Sequence, residues 1–374
     1  MTERIDIPGE VPSGDAGVST QTPEAPHTPV VTESLWKVRL RLAWRSFKDN
    51  WRLFRRNPIG ILGLLIILLF ALMAVAHPIL MATVWDPAIY DPVQGYDAPV
   101  IEKTVVAVVN DPVTEIDLPT AQLQTNPFVQ IGDTIQIPQQ PAPPSAKHLL
   151  GTDPLGRDVF SQLLYSTRSA FALGAIAALV TVFIATTIGA IAAFYGGWTD
   201  SILMRFADLI LLLPLLPVLI VVSALFQINL PLLGLLIGIL SGFGGTAIIL
   251  KAQALAVKVK PFIDAARVAG GSNRHLIARH IIPNVLPLSF LYMMFTVTDA
   301  IALEASLSFL GLLQIPMSWG IMINTASSQG YLLSGTSYWW LLFPAGLAVT
   351  MLAAAFFLVG RAMDEVVNPR LRRR

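Results

Sequence analysis

Long stretches without a single ionised side chain decide what this chain can fold into. No Asp, Glu, Lys or Arg occurs from Asn57 to Trp85, from Ser169 to Thr199, or over the 42 residues from Leu209 to Leu250. A helix needs about 20 apolar residues to cross the hydrocarbon layer of a bilayer. The first two runs therefore hold one span each. The third holds two, divided at Gln227-Ile228-Asn229-Leu230-Pro231. Further apolar runs at about Pro287–Glu304 and Tyr338–Gly360 raise the expected number to six. Only 13% of the 374 residues are charged, whereas soluble domains carry about a quarter. The expected class is an all-α membrane protein with the lipid bilayer as its solvent.

Basic residues set the orientation. Of the 25 Lys and Arg, all but Lys103, Lys147, Arg157 and Arg168 fall on the side of the two termini. Basic loops stay in the cytoplasm, so both termini are expected there. A net charge of +1 gives no reason for a nucleic-acid partner, and the absence of cysteine excludes disulfides, thiol chemistry and Cys-ligated metal sites. The histidines have no metal-ligand spacing, so no metal site is expected.

Residues 1–33, rich in Pro, Thr, Glu and Gly, read as a disordered cytoplasmic tail. They lack the basic start and apolar core of a cleaved signal. Residues 34–56 form a basic amphipathic juxtamembrane helix, with Trp36, Leu40, Trp44, Phe47, Trp51 and Phe54 at helical spacing. Such a helix either lies on the membrane surface or is solvated. The first transmembrane helix, 57–80, leads to an extracytoplasmic insert at 81–147. Val105–Val109 and Phe128–Ile131 there look like short strands, followed by the stiff Pro-rich stretch 139–144. A core with five more spans fills 148–368, and 369–374 is a basic cytoplasmic tail. The uncharged outward segment Ala305–Ser337 is expected to dip back towards the membrane.

The segment 260–283, between the fourth and fifth spans, carries the clearest mechanism. Pro261 suits the first turn of a helix, and Asp264 suits its positive end. Gly270-Gly271 ends that helix, and Ser272 or Asn273 caps a second one ending at Pro283. Small Ala265, Ala266 and Ala269 leave a face that another protein can approach closely. A rigid knob on the cytoplasmic side can carry force from a partner into the spans.

Asp264-Ala265-Ala266, then Gly270, then Pro283 resembles the coupling loop of ABC importer permeases. Asp264 stands where Glu is usual, and His280-Ile281-Ile282-Pro283 replaces an Ile-x-Leu-Pro ending. Arg279–Asn284, His148–Tyr165, Ala302–Gly311, Pro316–Gly320 and Asn368-Pro369-Arg370 resemble the dipeptide and oligopeptide branch of that family, the peptide/nickel importers with a long first outward loop. The resemblance covers about 50–80 and 147–370, and leaves out the insert at 86–146. It implies a type I importer permease fold and a cytoplasmic (inner) membrane of a prokaryote. It also implies a second homologous permease, two ATP-binding subunits and an extracytoplasmic solute-binding protein as partners. Asp264, Ala265, Ala266, Arg267, Gly270, Gly271 and Pro283 would then couple to the ATPases, with ATP and Mg bound on those partners and no cofactor on this chain. The solute would be a short peptide, although the branch also takes nickel chelates and oligosaccharides.

Other positions stand out less. Gly151, Asp153, Gly156, Arg157 and Asp158 form an extracytoplasmic motif, read as a capped turn in preference to a substrate contact. Asp299 and Glu304 are candidates to line the pathway; otherwise Asp299 pairs within the bundle and Glu304 is solvated at a span end. Gly234, Gly238 and Gly242, and likewise Gly189, Ala193 and Gly197, have the spacing of close helix packing. No Gly-Lys-Ser/Thr phosphate loop and no catalytic constellation occur, so the chain is not expected to be an enzyme. The rival readings are an ion-driven transporter, which needs buried ionisable groups and an inverted repeat, and a membrane enzyme with its chemistry in the insert.

Overall fold

A computed structural model of the chain describes residues 51–85, 100–104, 134–138 and 140–367, with residues 41, 44, 45 and 48. The tail at 1–33, the basic end at 369–374, and the strands expected at 105–109 and 128–131 lie outside the described residues. Two units, Met1–Asp49 and Asn50–Arg374, are distinct. In the first, Arg41, Trp44, Arg45 and Lys48 are helical.

Four continuous helical segments are long and apolar enough to cross a bilayer: Pro58–Thr83 (α1), Val159–Tyr195 (α2), Asn273–Phe309 and Trp339–Val366. Two bent helix pairs bring the number to six if each pair counts as one span. Gly197–Leu212 (α3) and Leu215–Leu225 (α4) meet at 80°, and Leu230–Phe243 (α5) and Gly245–Lys258 (α6) meet at 46°. The breaks fall at Pro214, which cannot continue a hydrogen-bond ladder, and at Gly244. The 227–231 break divides these two pairs, as the sequence implied. The arrangement is the all-α, type I permease fold. It also holds a small β element, Val100–Thr104 (β1) antiparallel to Thr134–Pro138 (β2), with Val100 opposite Pro138.

Helix α2 is the central beam. It packs against α1, α5, α6 and, further along the chain, Ile282–Phe309 (α9). It begins at Val159, ten residues before the uncharged run does, because Asp158 caps it by accepting from Ser161 N–H. The exposed Arg168 does not interrupt it. Its Ile176, Val180 and Ile184 form a ridge that fits the stripe Gly234, Gly238 and Gly242 of α5. Gly189 lets α6 approach closely, a Cβ there standing 2.8 Å from Lys251 N. Gly197 does not continue that stripe: nothing lies within 4 Å of it, and its φ of +53° makes it a turn residue opening α3. Arg205 and Asp208 lie inside α3, whose Asp200 pairs with Lys251 of α6.

The segment Ala305–Ser337, expected to face outward, folds back into the bundle as Trp319–Ser328 (α10). Trp319 is 1% exposed and donates its indole N–H to Leu163 O of α2 at 3.3 Å, while packing edge-on against Phe70 of α1 at 5.8 Å. The last helix, Trp339–Val367 (α11), lies along α1, where Gly63 leaves room for the Ala355 carbonyl.

Candidate functional site

At the end of α2 that carries Ala193, the segment 260–283 folds as a short helix, a glycine turn and a second short helix. Pro261–Val268 (α7) starts with Pro261 in its first turn. It closes with paired capping bonds, Gly270 N–H to Arg267 O and Gly271 N–H to Ala266 O, both 3.0 Å. Gly270 holds φ +86°, the left-handed position that glycine adopts without strain. Ser272, not Asn273, caps Asn273–Leu276 (α8), accepting from His275 N–H at 3.3 Å.

Pro283 does not end this helix. A π turn at Ile277–Ile281 joins α8 directly to α9, and Pro283 sits in the first turn of α9. Proline lacks the donor that Arg279 O would use and crowds that carbonyl. The ladder widens instead, Ile282 N–H reaching back five residues to Ile277 O.

The knob is rooted by Ile263, Leu276 and Ile281, each 0% exposed, against Ala190, Leu250, Ala254 and Val257. Its other face is bare: Val268 is 90% exposed, and Asp264, Ala265, Arg267 and Gly270 are exposed beside it while Ala266 is half-buried. The Asp264–Arg267 pair at 3.3 Å is solvated and holds the surface together weakly.

The opposite end of α2 carries a polar knot. Asp153 accepts from Leu155 N–H, Arg157 N–H, Arg157 Nε and Gln162 Nε2 at 2.7–2.9 Å. Asp158 meets His148 Nδ1 at 3.0 Å and Ser161 N–H at 2.6 Å. Burial pushes the Asp158 carboxyl above the ordinary carboxylate range and Asp153 adds to this, while the Ser161 and His148 bonds oppose it. Trp340 of α11 donates to Thr152 O at 3.1 Å. A Cβ on Gly151, at φ +71°, would stand 2.5 Å from Ala142 O and 3.0 Å from the Trp340 ring. Gly156, φ +83°, closes the turn. The knot ties residue 142, α2 and α11 together and is filled by its own groups.

Glu304 and Asp299 part company. Glu304 is 3% exposed, accepts from Ser308 Oγ at 2.6 Å and is bonded by Ser318, the cap of α10. It fastens α9 to α10. Asp299 lines a cavity of about 430 Å³. The walls are the two helix breaks, through Leu213, Leu215, Gly244, Gly245 and Thr246, and the face of α9 bearing Tyr292, Phe295, Thr296 and Asp299. Among the described residues Asp299 has no hydrogen bond or ion pair. An ionised carboxylate placed mid-span costs about 2.5–3.5 kcal/mol on insertion scales, so such groups face water, protein or a ligand. The cavity was not read from the sequence, although Pro214 and Gly244-Gly245 marked both breaks; nothing in a linear pattern said that they converge.

A family model for the binding-protein-dependent transport system inner membrane component matches residues 185–373, taking in the knob, the cavity and both broken spans. The chain belongs to this family. The inner membrane component is 32% identical over 330 residues to a dipeptide transport system permease protein of Bacillus subtilis (strain 168), covering 87% of this chain and 86% of that one. It is 36% identical over 226 residues to an oligopeptide transport system permease protein of Haemophilus influenzae, 60% and 70% of the two chains. With a glutathione transport system permease protein of Pectobacterium atrosepticum it shares 33% over 231 residues, 61% and 75%. As a permease the chain is a membrane-embedded transport component.

Proposed function

We propose that this permease is one of two homologous membrane subunits of an ATP-driven importer that moves short peptides inward across the cytoplasmic membrane. Relatives named for dipeptide, oligopeptide and glutathione transport support peptides as the solute class. One of two ATP-binding subunits docks on the knob of this chain, and that pair of subunits holds the ATP and Mg. A solute-binding protein delivers the peptide on the other side. Both termini are cytoplasmic, on the charge asymmetry of the loops.

The observation that carries this reading is α7, an exposed helix with a rigid glycine cap whose inner face is welded to α6 and α9. Asp264, Ala265, Ala266, Arg267, Gly270 and Gly271 form or shape its docking surface, and Pro283 sets the bend at which the knob enters α9. Closure of the ATPase pair displaces α7 and, through these welds, reshapes the cavity where Asp299 stands. Co-purification from membranes tests the assignment. Wild type should recover a second permease and ATP-binding subunits, and an Asp264→Lys, Gly270→Trp variant should keep the permease but lose the ATPases. A chain that purifies alone, whichever variant is used, would be incompatible with it.

A further inference from the structure

Asp299 stands at the end of a distinct face of α9. Tyr292, Phe295, Thr296 and Asp299 follow one another at positions i, i+3, i+4 and i+7, so they project to one side of the helix, and all four line the cavity. Thr296 spends its hydroxyl proton within the helix, donating to Tyr292 O at 3.1 Å. The cavity walls contain no Lys, Arg or His; their remaining side chains are aliphatic or aromatic apart from the hydroxyls of Ser241, Thr246 and Tyr292. Among the described residues the chain therefore supplies one anionic group here and no cation to meet it.

That cation comes from outside the chain. The cavity beside the carboxylate, about 430 Å³, falls within the roughly 300–1,000 Å³ of small-molecule sites. It lies where two spans are broken, the arrangement in which irregular backbone lines a solute path. We infer that Asp299 binds the free α-ammonium of the peptide in transit, an inference that rests on the peptide-importer reading above. The ammonium is the one charge that short peptides share at that end whatever their side chains. A single fixed carboxylate with apolar walls beyond it suits such a ligand: it anchors the constant group and leaves the variable residues to non-directional contact.

The chain has no cysteine, so a Ser241→Cys variant reports occupancy of the cavity without background from this subunit. In the complete importer in liposomes, with its binding protein, tri-alanine should slow thiol labelling at that position, and N-acetyl-tri-alanine should not. Asp299→Asn should abolish the protection and lower tri-alanine transport on the order of tenfold or more, as loss of a charge-assisted bond implies. Asp299→Glu should restore most of both. Unchanged transport in Asp299→Asn, or equal protection by the acetylated peptide, overturns the ammonium site. Loss of the second permease on purification of Asp299→Asn overturns it in favour of an ion pair between subunits. If no peptide-loaded binding protein stimulates the wild-type ATPase, the peptide reading itself fails, and this inference with it.

Discussion

The contact between α2 and α5 makes a quantitative prediction about which glycines tolerate a methyl group and which neighbours can yield. A Cβ on Gly238 would stand 2.6 Å from Val180 Cβ, 2.8 Å from its Cγ1 and 2.9 Å from the Ala177 carbonyl. Normal carbon contacts lie near 3.5–4.0 Å, so the helices must part by about 1 Å. Overpacking of this kind costs about 1–3 kcal/mol. Separation also stretches the bond from Thr181 Oγ1 to Gly238 O, 3.2 Å, worth about 0.6 kcal/mol in a membrane protein. Alanine recovers up to about 1 kcal/mol of helix preference. The net expectation for Gly238→Ala is a loss of about 1–3 kcal/mol, larger than for Gly242→Ala or Gly234→Ala, whose nearest atoms stand at 2.9 and 3.0 Å. Gly346→Ala, with nothing within 4 Å, should be neutral or stabilising.

Rescue distinguishes this account from a general intolerance of helix substitutions. At Gly174 the only close atom is Val297 Cγ1, at 2.7 Å, while Val297 Cβ is at 3.6 Å. Val297→Ala removes that obstacle, so Gly174→Ala combined with Val297→Ala should lose less than the two single changes together, by about 1 kcal/mol or more. Val180→Ala cannot rescue Gly238→Ala fully, because it removes Cγ1 at 2.8 Å but leaves Val180 Cβ at 2.6 Å and the Ala177 carbonyl at 2.9 Å. Equilibrium unfolding of the detergent-solubilised protein in SDS measures all of these. Rescue at Gly238 with failure at Gly174 would refute the reasoning.

The polar knot makes two further predictions. Asp153→Ala strands the guanidinium of Arg157, whose side chain is 12% exposed, and should cost about 3–5 kcal/mol in the same unfolding assay. Asp158 has a raised native pKa, so its contribution to stability is fully present below the unfolded pKa and is lost as pH rises through the native one. The stability of wild type relative to Asp158→Asn should therefore fall from acid to neutral pH in thermal unfolding, and a relative stability that rises over that range would contradict the burial argument.

Much of the fold was legible in the sequence because bilayer spans impose a composition as well as a pattern. Apolar runs marked the spans, although Asp299 and Glu304 lie inside α9 and both α3 and α6 carry charges beyond the uncharged run, and the glycine spacing at 234–242 marked a close helix contact before its partner was known. What stayed hidden depended on local competition or on convergence. The start of α2 was invisible to a count of charges, since a cap at Asp158 and an exposed Arg168 extend the helix beyond its apolar window. Pro283 looked like a terminator, because the π turn that accommodates it has no sequence signature. In the candidate site, the knob could be read residue by residue: its helix start, its glycine turn and its second cap are all local. The cavity could not, because Pro214, Gly244 and Asp299 lie on three segments that only the tertiary fold brings together. For the same reason Glu304 and Asp299 looked alike, yet one is enclosed by Ser308 and Ser318 and the other is left facing open space.

The placement of the knob also bears on how force would travel. Helix α6 begins at the cavity, with Gly245 and Thr246 in its wall, and ends at Lys258, just before Pro261. Helix α9 starts at the knob and brings Asp299 to the cavity after 17 residues, about 26 Å at 1.5 Å per residue. Both arms of this hairpin therefore run from α7 to the walls of one cavity. Their bases are locked together by Ile263, Leu276 and Ile281, packed with Leu250 and Val257. A displacement applied at α7 reaches α9 through the capped Gly270-Gly271 turn, α8 and the π turn at 277–281. In the proposed mechanism the two walls then move as a pair, and Asp299 is carried with them instead of waiting for a separate gate.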